Sequence, residues 1–276
     1  MHKSDLQART WYERPLRLVQ TVLREIDAPD YDAERVVDYV QRIKGNALVI
    51  NGGGLWAFYR TEHPLQRVIP GMKGDIVGEV VEAARARGIH VLVRVDFRGG
   101  PPSVYEAHPD WFAHDLHGVP RKIRGGLYAA PVLSPYRNEG YGFDVVREIL
   151  ENYDVSGIWE NAPGFVHPGG EERPSAEDAE ARYWRQLVPH DPHTRRAFRD
   201  ATGEELPSGE DREDPVYRRF LKWRYTAMHQ HAEALHGSSS RSGRTRPTWR
   251  SSRRCSPWSG AGLAHRTSST SAGSGT

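Results

Sequence analysis

The sequence predicts an α/β fold: an incomplete (β/α)8 TIM barrel of about four βα units, followed by a disordered C-terminal tail. Three observations support this prediction. Strand-like apolar runs alternate with segments of helical periodicity, in the order βαβαβαβα, over residues 1–235. The segments between the strand-like runs are long enough for the crossovers that parallel strands require. After His236 the alternation stops, and residues 237–276 contain no Asp, Glu or Lys.

The first two units each combine a short apolar run with an amphipathic segment. Residues 16–23 are rich in branched apolar side chains and predict a strand, and apolar residues at helical spacing over 32–43 predict the helix after it. Residues 47–50 predict a second strand that enters a loop of Asn51 and three glycines. The second helix is predicted over 76–84 and is stopped by Gly88.

The third and fourth units repeat this pattern. A strand is predicted over 89–95, with Asp96 at its carboxyl end, and a helix over 144–150. The fourth strand is predicted over 155–159, and the last helix over 216–235.

Two architectures fit four parallel βα units: an eight-stranded barrel and an open, doubly wound sheet. An open sheet that binds a dinucleotide usually has a glycine-rich phosphate turn after its first strand. No such turn follows Leu23, and the glycines after Asn51 lack the GxGxxG spacing. The barrel is therefore the favoured architecture, with only four of its eight units present.

The C-terminal tail differs from the body in charge. It holds seven arginines, and removing these from the 38 basic residues leaves 31 against 36 acidic residues, a net charge of about −5 for the body. We therefore divide the chain into a half-barrel, residues 1–235, and a low-complexity Arg/Ser/Gly tail, residues 236–276. The tail is expected to be disordered, or to result from a frameshift. Nucleic-acid binding by its arginines is the less favoured alternative.

The composition argues against several other classes of protein. The one cysteine, Cys255, excludes a disulfide framework and a cysteine metal site. The amino terminus lacks the apolar region of a secretory signal, and no apolar run reaches the ~18 residues that span a bilayer. The histidines lack the helical spacing of a zinc protease. We expect a cytoplasmic protein with no membrane partner, no metal and no cofactor.

Polar side chains at the predicted carboxyl ends of the strands suggest sugar chemistry, because the working residues of a parallel barrel lie there. Glycosidic cleavage typically needs two carboxylates. Glu160 is the candidate general acid, since Trp159 could desolvate it and raise its pKa, and Asp96 is the second catalytic candidate. The alternatives are a structural carboxylate for Glu160 and, for Asp96, pairing with Arg94, Arg98 or a backbone turn.

The candidate substrate-binding residues are of the types that stack on sugar rings or bind hydroxyl groups. They are Arg24, Asn51, Tyr59, His63, Arg94, Trp111, Tyr128 and Asn161.

Five segments together resemble the hypothetical glycosyl hydrolase 6 family. They are QTVLREID at 20–27, VINGGG at 49–54 with AFY at 57–59, EVVEAARARGIHVLVRVD at 79–96, YEAHPDWF at 105–112 and YDVSGI at 153–158. The family comprises barrel proteins akin to fucosidases and to β-galactosidases with a trimerisation domain. The resemblance covers residues 11–235. Unlike its relatives, the chain has no cysteine cluster between the fourth strand and the last helix.

The resemblance implies a glycoside hydrolase-like protein that acts on O-glycosidic bonds through carboxylate acid/base chemistry. We expect this chain to be inactive, since the later strands would supply the second carboxylate. The alternative is a non-catalytic carbohydrate-binding module or pseudoenzyme. The expected partner is a carbohydrate, and a full-length form could be a homo-oligomer.

Overall fold

A computed structural model of the chain describes residues 11–123, 125–138, 140–162, 164 and 188–240. The predicted tail, apart from residues 236–240, lies outside this part. All described residues fall within one unit of the chain, Met1–Arg244. The strands are β1 (Leu18–Gln20), β2 (Ala47–Gly54), β3 (His90–Asp96), β4 (Gly99–Gly100), β5 (Lys122–Ile123), β6 (Leu127–Ala129) and β7 (Gly157–Glu160). The α-helices are α1 (Ala33–Arg42), α2 (Ile76–Ala86), α3 (Pro102–Ala107), α4 (Tyr141–Asn152), α5 (Pro192–Thr202) and α6 (Pro215–Ser240).

The main sheet is parallel, and its strand order follows the chain: β1, β2, β3, β7. The predicted α/β fold with a parallel sheet is therefore confirmed. The sequence predicts that the second strand ends before the glycines, but β2 continues to Gly54, which pairs with Asp96. The register shifts between Asn51 and Gly53, so the chain bulges where the glycines begin.

Helices α1 and α2 begin at aspartate caps and pack side by side. Asp32 accepts the backbone N–H of Arg35 at 2.9 Å, and Asp75 accepts that of Gly78 at 2.9 Å. Arg87, which follows α2, donates to carboxylates on α1 and joins the two helices. The sequence predicts both helices from their apolar spacing, and the structure adds the aspartate caps at which they begin.

The core lies between the helices and one face of the sheet. Leu48 and Ile50 from β2 and Val93 from β3 are fully buried there, beside apolar residues of the helices such as Val80 and Val145. Burying each such side chain stabilises the fold by about 1.5–3 kcal/mol. The alternate residues of these strands face away from the helices.

A small antiparallel sheet follows β3, with strand order β4, β6, β5. The sequence predicts no strands here, because strands of two or three residues are too short to show a period. Helix α3 lies in the same insertion, which ends at α4.

Helices α5 and α6 form a second apolar cluster around Phe198, Phe220 and Trp223. Helix α6 continues to Ser240, whereas the sequence predicts its end at Leu235. Within the described ranges, no helix has the length and hydropathy needed to cross a membrane.

Candidate functional site

The two faces of the main sheet carry different kinds of side chain. Along β3, Val91, Val93 and Val95 pack into the core against the helices. Arg94 and Asp96 alternate with them and therefore lie on the opposite face, which we call the inner face. The polar residues at the carboxyl end of β3 thus occupy the inner face, as the barrel hypothesis requires.

Four side chains meet at this end of the inner face. Arg98 donates Nε to Oδ1 of Asp96 and Nη2 to Oδ2, both at 2.9 Å. Oδ2 also accepts from Nδ2 of Asn161 at 2.8 Å and from Nη2 of Arg94 at 3.3 Å. We call these residues the Asp96 cluster. Both oxygens of the Asp96 carboxylate accept hydrogen bonds from these donors. The structure therefore shows the pairing with Arg94 and Arg98 that the sequence offers as the alternative role of Asp96.

Trp159 completes this edge. It lies opposite Arg94 on the neighbouring strand, and it is 40% exposed. Adjacent strand residues face opposite sides, so Trp159 lies on the inner face and Glu160 does not. In the sequence Trp159 is notable only as the neighbour of Glu160, although strand alternation could have placed its exposed ring on the same face as Arg94 and Asp96.

Glu160 lies on the helix-facing side, in a buried ion cluster. Its Oε1 accepts from Nη2 of Arg137 at 3.0 Å, and its Oε2 is 2.8 Å from Nε2 of His231 on α6. The side chain of Glu160 is 8% exposed, and those of both partners are 1% exposed. The other ring nitrogen of His231 lies 2.5 Å from Oδ1 of Asn138.

These partners set the protonation of Glu160. Burial raises its pKa, but the hydrogen bond and charge of His231, together with Arg137, outweigh burial and leave the pKa lowered. The raised pKa predicted from Trp159 is therefore wrong, because the contacts of Glu160 with His231 and Arg137 oppose the effect of desolvation. The general-acid role of Glu160 stays a prediction, and this geometry favours the structural alternative.

Asn51 and Arg24 hold the chain after β1. The side-chain amide of Asn51 accepts the backbone N–H of Leu23 at 3.2 Å and donates to its carbonyl at 3.3 Å. Arg24 is exposed and pairs with Asp27 at 3.2 Å. Both predicted substrate-binding residues therefore stabilise the strand exit, and Asn51 lies next to Arg94 in the register.

Glu25, Trp56 and Arg67 form a further group after β1 and β2 that the predicted site does not include. The indole N–H of Trp56 donates to Oε1 of Glu25 at 2.8 Å, and the guanidinium of Arg67 lies 4.3 Å from the ring centroid. Arg67 and Asp96 both affect the pKa of Tyr136, which is raised mainly by burial. Arg67 and Asp96 therefore both act on the buried Tyr136.

Tyr59 and His63 anchor the connection between β2 and α2. Tyr59 is fully buried, its hydroxyl donates to Oε2 of Glu148 on α4 at 2.6 Å, and burial raises its pKa. Nδ1 of the half-buried His63 accepts the backbone N–H of Leu65 at 3.2 Å. The position of Tyr59 does not fit the predicted substrate contact, because core packing encloses the ring.

Trp111 and Tyr128 lie in the insertion after β3. Tyr128 stacks on Tyr105 with ring centroids 3.8 Å apart, and Trp111 stacks on His108 at 3.9 Å. One face of each predicted sugar-stacking ring is therefore covered. In the described part of the chain, no hydrogen bond or ring contact joins them to the Asp96 cluster.

Among the described residues, no three His, Cys, Asp or Glu side chains form a group able to hold a metal ion. In the histidine-containing segment 190–193, Asp191 caps α5 and accepts the backbone N–H groups of His193 and Thr194 at 3.1 and 2.8 Å. Burial raises the pKa of Asp191 to about 6. This segment forms a helix terminus.

Comparison with solved structures finds chains of similar fold. The chain is similar to alpha-L-fucosidase isoenzyme 2 from Paenibacillus thiaminolyticus, with 17% identity and a TM-score of 0.53, covering 81% of this chain and 31% of that one. It spans about a third of that fucosidase. A hypothetical protein from Ruminiclostridium thermocellum has 14% identity and a TM-score of 0.43, covering 62% and 92% of the two chains. A Thermotoga maritima alpha-fucosidase in complex with fucose has 17% identity and a TM-score of 0.35, covering 57% and 33%.

The sequence comparison is more specific. Residues 32–162 match the family described as Hypothetical glycosyl hydrolase 6, which confirms the predicted resemblance over β2, β3 and β7. This part of the chain is therefore glycoside hydrolase-like. No curated protein matches the sequence.

Proposed function

We propose that the described units are half of a glycosidase-type (β/α)8 barrel and that the inner edge of the sheet binds a carbohydrate. The observation that carries this proposal is the position of Trp159 beside the Asp96 cluster, at the carboxyl ends of β3 and β7. An exposed indole can stack on the apolar face of a sugar ring, and the adjacent guanidinium, amide and carboxylate can bind its hydroxyl groups.

The strand order supports the barrel. In a barrel, successive βα units add strands in chain order, whereas an open doubly wound sheet reverses its order at a switch point. Strands β1, β2, β3 and β7 follow the chain without reversal. We therefore propose a half-barrel over residues 1–235, with the last helix, α6, continuing to Ser240 inside the segment 236–276 that the sequence predicts as a tail.

Among the described residues, the Asp96 cluster contributes one carboxylate to the inner face. A glycosidase typically uses an acid and a second carboxylate on either side of the bond. Asp96 lies on the inner face, but Glu160 lies behind the sheet and its pKa is lowered. We propose that Asp96 contributes to O-glycosidic hydrolysis only when further strands supply the missing carboxylate, and that this chain binds sugar without cleaving it.

Binding is tested by titrating methyl glycosides into residues 1–276 and following them by saturation-transfer NMR. Trp159→Ala should weaken binding by about tenfold or more, because it removes the stacking surface. Tyr225→Ala is the matched control, since Tyr225 is an exposed ring on α6. Equal binding by wild type and the Trp159 variant would contradict the proposed site.

The second candidate function is that of a non-catalytic carbohydrate-binding protein or pseudoenzyme. The five contacts that occupy the Asp96 carboxylate favour it, because a nucleophile or base must have an accessible lone pair. A panel of aryl glycosides tests both candidates. Binding without turnover in a longer form with all eight strands would favour the binding protein, whereas turnover by residues 1–276 would overturn the half-barrel proposal.

A further inference from the structure

Two guanidinium groups share one carboxylate in the Asp96 cluster. Arg98 contacts both oxygens of Asp96 at 2.9 Å, the bidentate geometry in which the two opposite charges compensate each other most fully. Arg94 reaches the same carboxylate through one hydrogen bond of 3.3 Å. With two cations and one anion, the cluster keeps one positive charge in excess, and the geometry places it on Arg94.

Few hydrogen bonds or opposite charges offset the cost of burying the Arg94 guanidinium. Its side chain is 13% exposed, and its buried Nε has no hydrogen-bond partner in the described part of the chain. Burial lowers the pKa of Arg94, Asp96 opposes this effect, and the like charge of Arg98 adds to it. A largely buried cation is costly unless an anion pairs with it. A ligand that brings an anion to Arg94 would remove this cost.

The neighbouring strand, β7, indicates which kind of anion could bind beside Arg94. Trp159 lies directly opposite Arg94 in the parallel register, on the same face of the sheet. A ring stacked on Trp159 would therefore place its substituents next to the guanidinium. A small inorganic anion would use Arg94 but leave the indole face unused, whereas a charged sugar would use both.

We propose that the ligand of this edge is an anionic sugar, a pyranose with a carboxylate substituent, whose ring stacks on Trp159 and whose carboxylate binds Arg94. The inference rests on the proposed function, since it names the substrate class of the same site. Asn161 and Arg98 remain as hydroxyl-binding groups at the end of the strands.

The test compares uronides with their neutral counterparts on the full chain. Methyl glucuronide and methyl glucoside, and the corresponding galacto pair, are titrated at low and high salt. We expect each uronide to bind about tenfold tighter or better at low salt, and the preference to shrink as salt screens the charge. In the Arg94→Gln variant, the uronide and its neutral counterpart should bind about equally. Arg147→Gln is the matched control, because Arg147 is an exposed arginine paired with Asp144 on α4.

Each outcome separates the two proposals. Equal binding of uronides and neutral glycosides, or a preference that survives Arg94→Gln, would overturn the anionic-sugar inference and leave the proposed function intact. Acetate that competes as well as a uronide binds would also overturn the inference, since the site would then recognise a free anion. Failure of every glycoside to bind would overturn both. Circular dichroism of the Arg94 variant checks that the fold is retained.

Discussion

Glu160 lies on the helix-facing side of the sheet between Arg137 and His231, and these two contacts decide its role. Removing one member of a buried ion pair leaves the other charge uncompensated, which is far more costly than losing a surface pair. His231 and Arg137 come from α6 and from the segment before α4. The carboxylate therefore joins β7 to the elements that cover it.

We predict that Glu160→Gln lowers the free energy of unfolding by about 3 kcal/mol or more near neutral pH. Since the folded pKa is lowered, the native state binds fewer protons than the unfolded chain. The contribution of Glu160 is therefore present above about pH 4.5, its ordinary value, and is lost as the pH falls further. Urea unfolding measures both effects. Glu151→Gln, an exposed glutamate on α4, is the control, and equal stability of the two variants would contradict the account.

Asp191 gives the opposite pH dependence. Burial raises its pKa from 3.8 to about 6, so the native state binds the proton more tightly than the unfolded chain. Stability is highest below the unfolded value and falls as the pH rises through about 6. Asp191→Ser keeps an oxygen that caps α5 and removes the buried charge.

This variant should therefore lose the decline in stability that runs from pH 3.8 to just above the folded pKa of about 6, a change of about 3 kcal/mol over the whole window. Urea unfolding over a pH series measures it. An unchanged decline in the variant would show that another group is responsible.

Single residues also show what the sequence could predict of the site. Asp96, Arg94 and Asn161 are strand-end residues, and the structure brings them together. The faces on which Trp159 and Glu160 lie could not be predicted without the strand register, because a shift of one residue exchanges the two faces of the sheet. The partners of Glu160 come from distant segments, and nothing in the local pattern indicates them.

At the level of elements, the glycines of β2 allow the closest backbone approach in the site. Gly54 has φ of +99°, and a Cβ built on it would lie 2.2 Å from the carbonyl oxygen of Asp96. A side chain there would therefore combine an unfavourable backbone conformation with a clash against the strand that carries the site.

We predict that Gly54→Ala costs about 3 kcal/mol or more and displaces Asp96. Gly88→Ala is the matched control, since Gly88 also has positive φ, +65°, but nothing within 4 Å of the added Cβ. It should cost only the conformational penalty, about 1–2 kcal/mol. Thermal unfolding measures both, and equal losses would show that contact with Asp96 is unimportant.

The helices α1, α2 and α4 and the strand β3 could be predicted because their apolar periods extend over seven or more residues, and β2 could be predicted from its apolar run at 47–50. The small sheet of β4, β5 and β6 could not, because its pairing depends on contacts between strands of two or three residues. Strand β2 extends beyond its apolar run because Gly53 and Gly54 still pair with β3.

For the whole molecule, the outer strands of the main sheet are the edges at which we expect association. Among the described residues, β1 pairs only with β2, and β7 only with β3. Unpaired strand edges promote association with other chains. Val22 is 61% exposed just after β1, beside a partly exposed β1 residue, Leu18.

We predict that the chain self-associates as its concentration rises, and that Val22→Lys reduces this association. Light scattering during size-exclusion chromatography measures the mass. Tyr39→Lys is the control, because Tyr39 is an exposed side chain of comparable kind on the helix α1 and not on a strand. A monomer at every concentration would show that the edges are covered.

The central claim is that a sugar binds at the carboxyl ends of β3 and β7. It is tested most directly by residue-specific NMR of the labelled protein during titration with a methyl glycoside. We predict that the shift changes centre on the amides of Asp96, Arg98 and Asn161 and on the indole N–H of Trp159. Changes that centre instead on the stacked rings of Tyr105 and Tyr128, with the Asp96 cluster unaffected, would contradict the claim.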